Sequence, residues 1–373
     1  MHRSWPLALV TVTALSGAAA VSSCTKFRDT SVGSSDGGAD EGGVEASTDA
    51  GDDGGPSPFT VVNAVPTGEA LTSVWGADKD DVFAVGTNGV MYEYYQGSWQ
   101  RLQNVMGRDY EGVWGRSASD VYAVGVDNGT GGGIITHFDG TSWTDQQQTP
   151  VPLYGVWGQG DTILAVGSQG MIYGQHTEVP GWTMVLGDAG LPANPNVPPS
   201  PDEPILWGVA GSSISDIALP ADQDRIFHIT DAENINYLDP TVDRTVSFRS
   251  VFGVPTDPES YFFGSNYFGV VWLTTQGPPD AALVDDDLYQ IFQDRSPAGA
   301  DQLFIYGIWG TTTQFLFTGD LGRIYSYQAG PDVFARVSSP TDSTLYGVWG
   351  SSASDVWIVG QREVILHGSL PTQ

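Results

Sequence analysis

An all-β fold, a seven-bladed β-propeller of four-stranded antiparallel blades, is what this sequence predicts, and three observations predict it. A short phrase, ending in an aromatic residue and glycine in six of its seven copies, recurs between residue 59 and the end. Each recurrence carries four short β-branched and aromatic runs divided by Gly, Asp and Ser, the signature of four strands. The last recurrence stops one run short, and the first residues of the repeat region offer the missing run.

The clearest unit reads Tyr110-Glu-Gly-Val-Trp114-Gly, then Ser119-Asp120-Val-Tyr-Ala-Val-Gly125, then Ile134-Ile-Thr-His137-Phe, then Asp139-Gly-Thr-Ser-Trp143. Taking the Trp of its first run as a marker, the equivalents are Trp75, Trp114, Trp157, Ala210, Phe252, Trp309 and Trp349, spaced by 39, 43, 53, 42, 57 and 40 residues. A period near forty with four strands per repeat describes a propeller blade, because one such sheet cannot bury both faces until neighbours stack on it. The marker aromatic is expected between adjacent blades, and the glycine after it at a tight exit from the innermost strand. Asp81, Asp120, Asp216 and Asp355 each lie six residues past their marker. An Asp at a fixed turn position is expected to bond its own backbone rather than to hold a metal. In complete units an aromatic opens the outermost strand 15 residues before the next marker, as with Trp99 and Phe334. Phe59 stands 16 before Trp75, so residues 59–65 should complete the unit begun at Leu345 and close the ring. A closed ring exposes no strand edge to aggregation.

Upstream, residues 1–23 carry Arg3 and then an apolar run from Leu7 to Val21, the pattern of a secretory signal peptide too short to span a bilayer. Cys24 is the only cysteine, so no disulfide forms within the chain. Val21-Ser22-Ser23-Cys24 is similar to the box that precedes the lipidated cysteine of lipoproteins, though that family prefers Leu and Gly or Ala there. Cleavage after Ala18-Ala19-Ala20 is the alternative. Thr25 after the cysteine implies, by the same resemblance, sorting to the outer membrane. Residues 29–58 hold eight carboxylates and no Lys or Arg, with almost nothing apolar. Residues 24–58 are therefore expected to be a lipid anchor and an acidic, extended, disordered linker, and residues 59–373 the propeller.

The phrases VWG with SASDVYAVG or SSASDVWIVG, and Asp139-Gly-Thr-Ser-Trp143, resemble secreted β-propeller lipoproteins of myxobacterial type. More distantly the units resemble Asp-box propellers such as sialidases and photosystem II assembly factors, without the Ser and Thr of that box. The resemblance implies the fold and a location at the cell envelope, and little about activity.

Charge narrows the function. Acidic residues outnumber basic ones 44 to 14, a net charge of −30, which repels phosphate backbones and excludes nucleic acid as a partner. No H-E-x-x-H, G-x-S-x-G or paired-cysteine motif is present. The arginines from Arg101 to Arg362 sit at unequal repeat positions, unlike the convergent triad of a sialidase. His137, His176, His228 and His367 all fall in third-strand regions, as repeat register requires. No catalytic residue, metal site or cofactor is assigned. Enlarged loops gather on the face shared by strand-two-to-three turns and blade-to-blade connections: 127–133, 186–204, 220–225 and 294–301, with 276–287 on the other face. Loops carry function more often than scaffolds do. The candidate binding face therefore comprises Asp127, Asn128, Asp188, Asp222, Asp224, Arg225 and Arg295. The expected protein is a monomeric binding or scaffolding module for a protein or glycan, touching the membrane only through Cys24. A glycan-cleaving, sialidase-like hydrolase is the alternative, and a purely structural envelope protein is a third.

Overall fold

The computed structural model describes residues 56–62, 68–102, 106–176, 179–186, 204–213, 216–222, 225–231, 234–238, 247–254, 260–265, 270–274, 304–329, 331 and 333–371. Outside them lie residues 1–23, read from the sequence as a signal peptide, Cys24 and nearly all of the acidic segment 29–58, together with Asp188, Asp224, Arg295 and the segments 276–287 and 294–301.

The chain is all-β, a β-propeller of four-stranded antiparallel blades. Sheet 1 runs Leu71–Asp78, Asp81–Gly86, Met91–Tyr95, Ser98–Arg101, and sheet 2 runs Arg108–Ser117, Asp120–Asp127, Gly133–Phe138, Trp143–Thr149. Sheet 3 comprises Leu153–Gln159, Thr162–Gly167, Ile172–His176, Val179–Leu186, and sheet 4 Ala210–Ser213, Asp216–Pro220, Ile226–Asp231, Asn234–Leu238. Sheet 5 holds three strands among the described residues, Phe248–Gly253, Ser260–Ser265 and Val270–Thr274. Sheet 6 is Ile305–Gly310, Gln314–Gly319, Ile324–Gln328, Val333–Val337. Sheet 7 takes Leu345–Ser352, Asp355–Gly360 and Ile365–Gly368 from the end of the chain and Phe59–Val61 from its beginning. Among the described residues the complete four-stranded blades thus number six, not the seven that the repeat count predicts. The fourth run of unit 5 falls within residues 275–303, outside the description.

The closing strand is shorter than residues 59–65. It pairs Phe59 with Gly368 through Val61 with Leu366, and the Val62 amide adds a bond to the Ile365 carbonyl at 3.0 Å. Phe59 is buried, and the Ser57 hydroxyl donates to the carbonyl of Ser338, just past the outermost strand of sheet 6, at 2.7 Å, so the N-terminal segment joins the molecule at its outer rim.

Second strands such as Val82-Phe83-Ala84-Val85 are buried without alternation, because neighbouring sheets cover both of their faces. The marker tryptophans lie between sheets, as expected, but the reason for the following glycine is different. It makes room for the indole of the preceding sheet. A β-carbon on Gly115 would lie 2.8 Å from the Trp75 ring, one on Gly158 2.7 Å from Trp114, and one on Gly350 2.7 Å from Trp309. The same contact joins the last sheet to the first, where a β-carbon on Gly76 would lie 2.5 Å from Trp349.

Candidate functional site

The innermost strands each begin with an irregularity that the repeat phrase conceals. Pairing with the second strand skips one residue: Thr72 in sheet 1, Glu111 in sheet 2, Tyr154 in sheet 3, Arg249 in sheet 5, Tyr306 in sheet 6 and Tyr346 in sheet 7. In sheet 4 the equivalent residue is Trp207, just after the Leu206–Ala221 bridge. A bulge leaves one residue out of the ladder and turns its side chain to a new direction. In five of these strands the next residue is glycine, and the close approach of adjacent innermost strands explains it. A β-carbon on Gly112 would lie 3.1 Å from the Tyr154 carbonyl, and one on Gly347 3.2 Å from the Ser73 Cα.

Skipped residues of consecutive sheets meet one another. The rings of Tyr154 and Trp207 lie 4.8 Å apart, and the Arg249 guanidinium sits over the Trp207 ring at 3.6 Å. Tyr306 and Tyr346 meet edge to face at 5.3 Å. The Ser168 hydroxyl, in the strand-two-to-three turn of sheet 3, donates to the Tyr154 phenol at 3.3 Å, which fixes the ring on the turn side of the molecule. These contacts form one group, Tyr154, Trp207 and Arg249, across sheets 3 to 5, and one pair, Tyr306 and Tyr346, across sheets 6 and 7, at the starts of the innermost strands, which we call the mouth. Glu111 is 5% exposed, Tyr346 8%, Trp207 and Arg249 9%. Burial raises the Tyr154 phenol, and the charge of Glu111 pushes it further up while that of Arg249 pulls it down. Thr72 serves the frame instead, donating to the Tyr110 carbonyl of the next sheet at 2.6 Å.

The described candidates drawn from loop length, Asp127, Asn128, Asp222 and Arg225, lie on the same face and are occupied in shaping their loops. Asp127 accepts from the Gly129 and Thr130 amides at 2.9 and 3.3 Å, and the Asn128 amide donates to the Gly107 carbonyl. Asp222 accepts from Arg225 at 2.8 Å and from the Ile205 amide at 3.2 Å, tying its loop to the start of the innermost chain. Asp127 and Asn128 in sheet 2 are not brought together with Asp222 and Arg225 in sheet 4. The mouth residues went unnoticed in the sequence, although a large or charged residue before each G-V-W was the available signal.

On the opposite face the structure corrects the role of the repeated aspartates. Asp120, Asp216 and Asp355 do not bond their own backbone. Each accepts from a third-strand histidine: His137 at 2.7 Å, His228 at 2.6 Å and His367 at 2.7 Å. The other carboxylate oxygen takes a donor four residues upstream, namely Arg116, Ser212 or Ser351. Burial alone would raise Asp120 and Asp216, but these hydrogen bonds outweigh it and hold both below the usual carboxylate value. His176 lies two residues off this register, opposite Thr162. In sheet 1 the backbone-bonding aspartate is Asp78, which accepts from the Asp80 and Asp81 amides. Among the described residues no group of three or more His, Cys, Asp or Glu is placed to hold a metal ion. No described helix is long and apolar enough to cross a membrane.

The fold and the mouth define the class, a β-propeller. No protein-family model matches the chain, and no curated protein matches it. Among solved structures it is similar to YCF48 bound to D1 peptide, with 14% identity, 85% of this chain and 98% of that one covered, and a TM-score of 0.62. YCF48 from Cyanidioschyzon merolae gives 12% identity, 83% and 98% coverage and a TM-score of 0.63. Streptogramin B lyase gives 13%, 84% and 98%, and 0.60. At these identities the likeness is one of fold.

Proposed function

We propose that this protein is an exported binding or scaffolding module that engages a protein or glycan through the channel mouth. The observation that carries this is the ring of skipped residues. All seven sheets have this position at the start of the innermost strand, and six of the seven fill it with an aromatic or charged side chain. Aromatic and arginine side chains at a desolvated centre are the residues that dominate binding energy in protein interfaces. YCF48 has been solved with a D1 peptide bound, which supports peptide recognition by a propeller of this size. The ring supplies one carboxylate and one guanidinium among the described residues. A sialidase-like hydrolase calls for an arginine triad and a nucleophile pair, so binding is the function argued here.

In this proposal the ring has seven units, the sheet Phe248–Thr274 being the fifth. Residues 1–23 direct export and Cys24 carries the lipid, as the resemblance to myxobacterial-type propeller lipoproteins implies, with the outer membrane or cell surface as destination. Attachment of the N-terminal segment at the rim supports this arrangement, since a tether there leaves the mouth uncovered. The test is affinity capture from envelope extracts with the full chain, beside a Tyr154→Ala/Tyr346→Ala variant. A captured partner lost from the variant supports the mouth as the site, and identical capture by both rejects it. Metabolic labelling with palmitate should mark the wild type and spare Cys24→Ser. Label on neither would end the lipoprotein assignment.

A further inference from the structure

Two clusters hold nearly all of the buried apolar side chains among the described residues. The larger one draws on every sheet and includes the junction of sheet 7 with sheet 1. The smaller one lies between sheets 4 and 5, where Ala210 and Ala218 of sheet 4 pack against Phe248, Val251, Tyr261 and Phe263 of sheet 5. Ile217 and Leu219, on the other face of sheet 4, belong to the larger cluster, as do Phe252 and Phe262 on the other face of sheet 5. Hydrophobic continuity around the propeller is therefore interrupted between sheets 4 and 5. We infer that the propeller parts and recloses reversibly at this boundary, the two sheets moving apart while each keeps its own strand pairing.

The packing at this boundary leaves the two sheets unkeyed. Elsewhere a marker indole is wedged against the glycine of the next sheet, and Trp157 still lies 3.0 Å from a β-carbon placed on Gly211, between sheets 3 and 4. In sheet 4 both the marker and its cross-strand partner are alanine, Ala210 opposite Ala218, where sheet 1 sets Trp75 opposite Phe83 and sheet 7 sets Trp349 opposite Trp357. The bulk comes from sheet 5 instead. Tyr261 stands opposite Gly253, in the position that Val82, Val121 and Val356 hold in other sheets. Its ring packs with the two alanines, and its hydroxyl donates to the Asp216 carbonyl of sheet 4 at 3.2 Å. Burial, and then the charge of Asp216, push this phenol up, so it stays a donor. Two more polar contacts cross the boundary towards the mouth. The Phe248 amide donates to the Ala221 carbonyl at 3.0 Å, and the Arg249 guanidinium lies 3.6 Å over the Trp207 ring. A hydrogen bond given up to water is largely replaced, whereas an indole drawn out of a glycine notch exposes apolar surface with nothing in return. Between sheets 5 and 6 aromatic packing resumes, with Phe262 and Phe315 at 4.5 Å. Local opening starts where buried apolar contact is least, and that is the boundary of sheets 4 and 5.

The experiment is thiol labelling of the full chain in native buffer, with Cys24→Ser in every variant so that the introduced cysteine is the only thiol. Ala218→Cys and Val251→Cys place it on the two walls of the boundary. Ile217→Cys in sheet 4 and Val254→Cys, just past the first strand of sheet 5, place it in the larger cluster. Val113→Cys, the register equivalent of Val251 in sheet 2, is the reference. Relative to the unfolded chain, each wall cysteine should react with iodoacetamide at least about tenfold faster than the other three, and its rate should rise only weakly with urea, because parting exposes little surface. Tyr261→Phe removes the phenol–carbonyl bond and keeps the ring, so it should quicken the wall cysteines about threefold or more and leave the reference unchanged. Should Ala218→Cys, which adds bulk, fail to fold, Val251→Cys removes bulk and gives the same readout. Wall and larger-cluster cysteines of equal rate would mean that a sheet unfolds instead of separating, and overturn the proposal. Wall cysteines as slow as the reference would also overturn it, since the boundary would then open only with the whole molecule.

Discussion

Leu321 is 61% exposed with φ 51°, a left-handed conformation at the tip of the strand-two-to-three turn of sheet 6. The equivalent tips are Asn88 at 58°, Gln169 at 59° and Arg362 at 60°. Left-handed backbone costs an L-residue about 1–2 kcal/mol, least for Asn, whose short polar side chain bonds locally. Leu recovers nothing of that by burial here. Leu321→Asn should therefore raise stability by about 0.5–1 kcal/mol, read as a higher urea midpoint. A lower midpoint would show that Leu321 packs usefully in solution. The next position repeats the lesson more sharply. Gly89, Gly170 and Gly322 follow their tips with positive φ, but sheet 7 puts Glu363 there at 53°, its side chain fully buried. The Tyr92 phenol of sheet 1 donates to Glu363 at 2.7 Å, and burial, with this hydrogen bond as the next cause, pushes that phenol up to about 12. Strain at this turn is thus matched by a bond across the junction of the last and first sheets.

At the scale of the strand, the aspartate–histidine pairs show what sheet 1 lacks. Its register sets Phe83 opposite Glu93, as Tyr122 stands opposite His137 and Trp357 opposite His367. Glu93 therefore occupies the histidine position and faces Asp81. Burial raises both carboxyls, and Asp81 raises Glu93 further. Carboxylates raised in the folded state cost stability above their unfolded values, and acid relieves the cost. Asp120 and Asp216, lowered in the folded state, contribute stability above their unfolded value and lose it as pH falls through the folded one. Glu93→His should turn the first case into the second, stabilising by roughly 1 kcal/mol for a charge-assisted bond on a half-exposed surface. A histidine that gains a partner has its pKa raised, so the gain should be full below its unfolded value of about 6.5 and fade as pH rises. Melting at pH 6 and pH 8 checks this, and a variant equally stable at both would refute the pairing.

The glycines after the marker divide in the same way, by what faces them. Gly115 meets the Trp75 indole, whereas Gly253 follows the degraded marker Phe252 and meets only the Tyr261 ring, at 3.3 Å, because Ala210 stands where the preceding indole would be. Gly115→Ala should cost about 2–3 kcal/mol as an overpacked core contact, and Gly253→Ala less than about 1. Equal losses in thermal melts would remove the indole as the cause. The markers themselves, the four-run period and the short last unit were legible because each is local in sequence. The skipped residues of the mouth were not, since a bulge exists only relative to the partner strand. The aspartates misled for a related reason: the turn-like context and the third-strand histidines were both visible, but the bond between them across the two strands was not.

For the whole molecule, closure decides whether the sheets form one cooperative unit. Among the contacts that join sheet 7 to sheet 1 or complete it, three bear on closure: Phe59–Val61 against Ile365–Gly368, Trp349 against Gly76, and Tyr92 with Glu363. They differ in their dependence on the N-terminal segment. The second and third lie wholly within residues after 70, so they persist when that segment is removed. The first does not, and its loss exposes the edge of Ile365–Gly368 and empties the site of Phe59, which is 1% exposed. Burying a phenylalanine of this kind is worth about 3–5 kcal/mol. Deleting residues 1–55 should leave the melting temperature unchanged, because Ser57 and the strand remain. Deleting residues 1–62 should lower it by about 5 °C or more and promote association through the unpaired edge. Phe59→Ala in the full chain separates the two causes, lowering the melting temperature while keeping the edge paired and the protein monomeric. A 63–373 fragment as stable and monomeric as the 56–373 form would show that the indole and tyrosine contacts close the ring without the strand.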